Sequence, residues 1–140
     1  PESRDVQATI DLMTAGVPVI YQGVLKGGSA SMAFSGRPDF LLRGDYRFEF
    51  GENGLTAVQF SGDPSRYTAW DAKLSATPKP EYQNQVALYV DVLQELGLAA
   101  SAEHGLILGS RVIASFNADT LISQMLPVRH TRSITQPNTK

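Results

Sequence analysis

The sequence predicts one mixed α/β domain in which helices flank a single central sheet. Two patterns in the 140-residue chain support this fold class. Apolar residues recur at helical spacing in residues 6–13 and 86–96, whereas apolar and β-branched runs separated by turn residues fill most of the remainder. With 42% hydrophobic and 19% charged residues, the chain has the composition of a globular protein with one core.

The first predicted element is a helix near the N-terminus. Val6, Ile10 and Met13 fall on one helical face. Ser3 is the predicted N-cap, because its hydroxyl can accept an N–H of the first turn, and Gly16 is the predicted stop.

A strand-rich region follows this helix. The predicted strands are residues 17–25, 31–42, 46–50, 56–60 and 67–75. Turns are predicted at residues 26–29 and 51–54, and a loop at residues 61–65, where Gly, Pro and Ser cluster. Pro38 cannot donate a ladder hydrogen bond, so we expect a bend just before Asp39.

The second helix is predicted at residues 81–96, since prolines just before it suit a helix start and Gly97 suits its end. Two strands follow at residues 105–109 and 112–116, and Asn117 is the predicted cap of a short helix that reaches Met125.

Residues 1–125 are assigned to this domain, and the polar residues 126–140 to a tail or linker. Because the chain starts with Pro1 rather than methionine, we expect further domains of a larger parent protein. The absence of cysteine excludes disulfides, thiolate zinc sites and cysteine-ligated clusters, and agrees with a cytoplasmic location. No apolar run reaches the roughly 18 residues of a membrane span, so no membrane partner is expected.

Five side chains form the candidate site. Asp71 and Lys73 lie two apart in a predicted strand and leave the same face, while Gln85 and Tyr89 lie four apart in a predicted helix. Asp39 is flanked by apolar residues, where a carboxylate is costly to bury without a partner. A divalent metal is one such partner, and an arginine such as Arg37 or Arg43 is another.

The chemistry of these residue types fits a metal-dependent phosphodiesterase. Asp39, Asp71 and the backbone carbonyl of Ala72 are candidate ligands of Mg²⁺ or Mn²⁺, which prefer oxygen. Lys73 is a candidate to orient the attacking water or stabilise negative charge, with Gln85 and Tyr89 holding Lys73 or a DNA phosphate. The net charge of −2 argues against a protein that binds polyanions mainly by its own charge, but allows one whose metal ions supply positive charge.

Plainer interpretations stand beside this one. An Asp-x-Lys pair on a strand is more often a solvated face, and Tyr89 belongs to the apolar stripe of its helix, so a core tyrosine is the default. Trp70 alternates away from Asp71 and is expected to pack in the core. His104 is interpreted as a loop or strand-start histidine rather than a ligand.

Three segments carry a resemblance to a known family. Residues 36–41 (GRPDFL), 67–74 (YTAWDAKL) and 85–89 (QVALY) resemble the motifs of the PD-(D/E)XK nuclease superfamily, in particular its RecB-like branch with the Gln-x-x-x-Tyr motif. Residues 19–23 and 105–109 also resemble stretches of bacterial RecB-like nucleases, so the resemblance covers most of the chain.

The resemblance implies a restriction-endonuclease-like core, a mixed sheet flanked by helices, and cleavage of DNA with Mg²⁺ or Mn²⁺. It implies a catalytic set of Asp39, Asp71 and Lys73, supported by Gln85 and Tyr89. The chain also departs from the pattern. Many RecB-like nucleases place a metal-binding histidine upstream of the first acidic motif, whereas His104 and His130 both lie downstream, and Glu2 is the one upstream acid considered in its place.

Two alternatives to an active nuclease stay open at this point. One is a catalytically inactive domain of the same fold that binds nucleic acid or organises a larger protein. The other is a metabolic or structural α/β domain with chance motif matches, which would place Asp39 and Asp71 far apart.

Overall fold

The computed structural model describes residues 2–27 and 34–123. Their helices and strands, in chain order, are α1 (Glu2–Thr14), β1 (Val19–Tyr21), β2 (Leu25–Gly27), β3 (Phe34–Gly36), β4 (Phe40–Gly51), β5 (Gly54–Lys73), α2 (Pro80–Glu95), β6 (His104–Leu108) and β7 (Ile113–Phe116). Residues 118–123 are also helical.

The central sheet has the strand order β1-β4-β5-β6-β7. Its first three strands are antiparallel neighbours, β6 runs parallel to β5, and β7 is antiparallel to β6. Helix α2 forms the crossover that a parallel pair requires. Strands β2 and β3 form a separate two-stranded ladder. The predicted fold class, a mixed sheet flanked by helices, is therefore confirmed.

Side chains alternate between the two faces of the sheet and place the candidate acid on the helical side. Tyr67 and Ala69 of β5 belong to the main core, which α1 and α2 help to build. Trp70 points the other way into a smaller cluster with Leu42, Phe48 and Ile107, so its predicted core position is confirmed. Asp71, the next residue, returns to the side of α2.

Two predicted strands are each broken. The strand predicted at residues 17–25 ends at Tyr21, because Gln22 adopts a left-handed backbone with φ of 54°. The strand predicted at residues 31–42 is split into β3 and β4 by the Pro38 region, and residues 31–33 lie outside the described part. Asp39 therefore lies in a bend just before β4 rather than on a strand.

The loop predicted at residues 61–65 is wrong, because β5 continues through it. Two glycines explain the difference. Gly44 pairs with Asp63 between two register shifts, and the Gly62 position lies so close to the Gly44 carbonyl that a side chain there would collide with it. This pairing overrides the local turn propensity. The short strands predicted at residues 46–50 and 56–60 are the distal ends of the longer β4 and β5.

The helix predictions agree better with the structure. Helix α2 matches the predicted residues 81–96 to within one residue at each end. Gly16 and Gly97 end the two helices with φ of 78° and 74°. Asn117 caps residues 118–123, since its Oδ1 accepts the Thr120 N–H at 2.7 Å; the predicted end at Met125 lies outside the described residues.

The start of α1 is one correction to these helix predictions. The helix already includes Glu2, so Ser3 lies within it rather than capping it. Within residues 2–27 and 34–123, no helix has the length and apolarity to cross a membrane.

His104 is the first residue of β6 and is fully buried. Its Nδ1 accepts the backbone N–H of Ala69 at 3.1 Å, which ties β6 to β5. Burial lowers the pKa of this imidazole to about 4. The interpretation of His104 as a strand-start histidine is therefore confirmed.

We expect stability to fall as the pH drops from about 6.5 to about 4. Over that interval the unfolded chain binds a proton at His104 that the folded protein does not, so unfolding is favoured by up to about 3 kcal/mol. Urea unfolding at a series of pH values measures this, with His104→Asn, whose amide oxygen can replace Nδ1, as the comparison. Equal pH slopes for the two proteins in this interval would contradict the assignment.

Candidate metal centre and active site

Asp39 and Asp71 lie side by side where β4 begins and β5 ends. The antiparallel pairing of Phe40 with Trp70 sets this register, because Asp39 and Asp71 are the next residues outward. The Asp39 N–H donates to Asp71 Oδ1 at 3.0 Å, and the Ala72 N–H donates to Asp39 Oδ2 at 2.8 Å. The two carboxylates are thus within one side-chain length of each other.

Asp71 is a buried acid that resists ionisation. Its side chain lies beneath α2 and the residue is 3% exposed. Burial raises the pKa of its carboxyl group, and the neighbouring negative charge of Asp39 adds to this, against hydrogen bonds that lower it. A bound cation would favour the ionised form, so the environment of Asp71 suits a metal ligand.

Tyr89 and Lys73 contact the same oxygen of Asp71. The Tyr89 hydroxyl donates to Oδ2 at 3.1 Å, and the Lys73 ammonium lies 3.9 Å from it. Tyr89 is also fully buried in the stripe of α2, so it is both a core residue and a site residue. Its burial, together with the charge of Asp71, raises the pKa of the phenol, which keeps it a hydrogen-bond donor at neutral pH.

Lys73 is held by the first turns of α2. Its Nζ donates to Gln85 Oε1 at 3.3 Å and lies 4.8 Å from the centre of the Tyr82 ring. The predicted proximity of Lys73 to Gln85 is therefore present. The structure brings together Asp39, Asp71, Lys73, Gln85 and Tyr89, the five predicted side chains.

Sequence reasoning missed two residues of this site. Tyr82 lies under both Lys73 and Lys79, whose ammonium group is 5.8 Å from its ring centre. The sequence signal that could have identified Tyr82 is its spacing of three residues from Gln85, because residues three apart share a helix face. The second is Gln22, whose Nε2 donates to Asp39 Oδ1 at 2.8 Å. It lies in the segment 19–23 that carried part of the resemblance, but no single-sequence pattern singled it out.

The backbone of Ala72 can add a third oxygen. In an extended strand the N–H and the C=O of one residue point toward the same neighbouring strand. The Ala72 N–H points to Asp39. Its carbonyl is therefore expected to face the same side of β5, toward Asp39.

Two carboxylates and a carbonyl fit Mg²⁺ or Mn²⁺, since these ions take few protein ligands and keep several waters. Among the described residues, no group of three or more His, Cys, Asp or Glu side chains could hold a metal. Arg43, considered as a partner for Asp39, instead pairs with Asp45 at 2.7 Å. His130 and the side chain of Glu2 lie outside the described part.

Comparison of the chain with protein-family models, with curated proteins and with solved structures found no match.

Proposed function

We propose that this chain is a metal-dependent nuclease that hydrolyses phosphodiester bonds of DNA, with a restriction-endonuclease-like core of the RecB-like type. One observation carries the proposal: a buried aspartate and a second aspartate meet beside a lysine that is fixed by the helix packed over them. Asp71, Lys73, Gln85 and Tyr89 come from one strand and the helix that follows it, so the telling observation is that Asp39, from a distant segment, joins them. The mixed sheet flanked by helices agrees with the core that the resemblance implies.

Each side chain has a role that follows from its contacts. Asp39 and Asp71, with the Ala72 carbonyl, hold Mg²⁺ or Mn²⁺, which when bound polarises the phosphate and acidifies a water molecule. Lys73 supplies a fixed positive charge on the same face, where it orients the attacking water and stabilises negative charge that develops on the phosphate.

The remaining residues fix these groups in place. Gln85 accepts a hydrogen bond from Lys73, so the ammonium group keeps its position instead of collapsing fully onto Asp71. Tyr89 donates a hydrogen bond to Asp71 and so restricts rotation of that carboxylate. Because α2 is anchored in the core through its buried stripe, both supports are rigid.

The alternative is an inactive domain of this fold that binds nucleic acid or organises a larger protein. The observation that favours it is the small ligand set, since no group of three or more His, Cys, Asp or Glu side chains gathers among the described residues. The two proposals differ in whether DNA binding needs a metal.

We expect DNA to bind weakly in EDTA and at least about tenfold more tightly with Ca²⁺ or Mg²⁺, each of which takes oxygen ligands. With a net charge of −2, the protein makes few phosphate contacts of its own, so its salt dependence should be shallow. Fluorescence anisotropy of a short labelled DNA measures this, with Asp39→Asn as control. Tight binding that ignores both metal and substitution would support the inactive domain instead.

A further inference from the structure

The turn after β1 has an unusual backbone at Gln22. With φ of 54°, it is one of two non-glycine residues with positive φ in the described part of the chain. Such a conformation is unfavourable for a residue with a side chain and is kept only where surrounding contacts hold it. At Gln22 two hydrogen bonds to Asp39 are such contacts.

Two hydrogen bonds join Gln22 to Asp39. The backbone N–H of Gln22 donates to the Asp39 carbonyl at 3.0 Å, and its Nε2 donates to Asp39 Oδ1 at 2.8 Å. The pairing of Tyr21 with Phe40 in the register of β1 and β4 places Gln22 opposite Asp39. The left-handed turn therefore directs the Gln22 side chain onto the carboxylate instead of continuing the strand.

The amide oxygen of Gln22 belongs to the same planar group as this donor, so it lies within one amide group of the Asp39 carboxylate. Gln22 is also exposed, unlike Asp71, so it occupies the open side of the pair. An amide oxygen is an accepted ligand of hard divalent cations. A site with two side-chain carboxylates leaves coordination positions of Mg²⁺ or Mn²⁺ free for a further oxygen.

We propose that Gln22 is the third side-chain ligand of the metal centre: its amide nitrogen positions Asp39, and its amide oxygen binds the same divalent cation. The inference rests on the proposed function.

The distance between the Gln22 amide oxygen and bound Mn²⁺ separates this role from a merely structural one, because the added carboxylate of Gln22→Glu attracts a nearby cation whether or not glutamine coordinates it. If the amide oxygen is a ligand, it lies about 2.1 Å from the ion in a crystal structure with Mn²⁺. If Gln22 only positions Asp39, the amide oxygen stays outside coordination distance, and that result overturns the inference.

The experiment is a Mn²⁺ titration of the full chain without DNA, by calorimetry and by the metal-induced rise in melting temperature. We expect Gln22→Ala and Gln22→Asn to weaken Mn²⁺ binding about tenfold, as loss of a supporting group at a metal site does. Asparagine tolerates the left-handed backbone but is too short to reach, so it tests the contact without adding strain. Gln22→Glu should restore or exceed the original affinity.

A matched control is available on α1, where Gln7 donates to Asp11 at 2.9 Å in the same kind of exposed amide–carboxylate pair. Gln7→Ala should leave Mn²⁺ binding unchanged. The inference is overturned if Gln22→Ala binds as tightly as the original chain, or if Gln22→Glu is no tighter than Gln22→Ala. If either result is found while Asp39→Asn still abolishes Mn²⁺ binding, the proposed function stays intact. If the original chain binds no Mn²⁺, the inference about Gln22 and the proposed function are both overturned.

Discussion

Asp71→Asn is expected to lower Mg²⁺-dependent DNA cleavage by at least about 10³-fold, since the metal contributes several kcal/mol to the transition state. The same substitution should raise the melting temperature of the metal-free protein by about 3 °C, or about 1 kcal/mol. The pKa of the Asp71 carboxyl group is raised in the folded protein, mainly by burial. At neutral pH the ionised carboxylate therefore lowers the stability of the fold, whereas a neutral amide does not. Asparagine can keep both hydrogen bonds, accepting from Asp39 and donating to Tyr89.

Asp45 provides the matched control, because it is also a buried aspartate on the sheet. A hydrogen bond from Arg43 lowers the pKa of its carboxyl group, so here the ionised form is the stabilised one. Asp45→Asn should therefore destabilise the fold, by about 1–2 kcal/mol, since it weakens a charge-assisted hydrogen bond to Arg43. Purified Asp71→Asn that retains cleavage, or that melts earlier than the original chain, would contradict the role of Asp71.

Lys73→Met is expected to reduce the cleavage rate about 10²- to 10³-fold at saturating Mg²⁺, the range seen when one preorganised charge-stabilising group is removed. Mn²⁺ binding should be kept or slightly tightened, because an ammonium group 3.9 Å from Asp71 competes with the cation. Single-turnover cleavage and a Mn²⁺ titration together separate loss of chemistry from loss of metal.

Lys79→Met is the control for this change. Lys79 shares the Tyr82 ring with Lys73, at 5.8 Å from its centre, so the two substitutions remove the same type of cation–ring contact. We expect Lys79→Met to weaken DNA binding modestly and to leave the single-turnover rate within about threefold. Equal rate losses for the two variants would mean that Lys73 acts by general charge and not at the reacting phosphate.

Periodicity predicted the parts of the fold that short-range patterns control. Helix α2 was found to within a residue at each end because its apolar stripe and its flanking prolines and glycine agree. The convergence of Asp71, Lys73, Gln85 and Tyr89 follows from the same source, since a strand face and a helix face joined by a short turn must pack together.

Long-range pairing controls what the sequence did not predict. Residues 61–65 have turn composition, yet they extend β5 because Gly44 and Gly62 let two strands approach closely. The position of Gln22 depends on a left-handed residue and on the register of β1 against β4, and neither leaves a local pattern. The helical spacing of Tyr82 predicts that it shares a face with Gln85, but its contact with Lys73 follows only once Lys73 is placed beneath α2.

The most direct test of the account is a crystal structure of the chain with Mn²⁺, recorded with anomalous scattering from the metal. The account predicts one manganese peak at about 2.1 Å from oxygens of both Asp39 and Asp71, with the Ala72 carbonyl on the same ion. Crystals grown at saturating Mn²⁺ with no peak between these two carboxylates would contradict it.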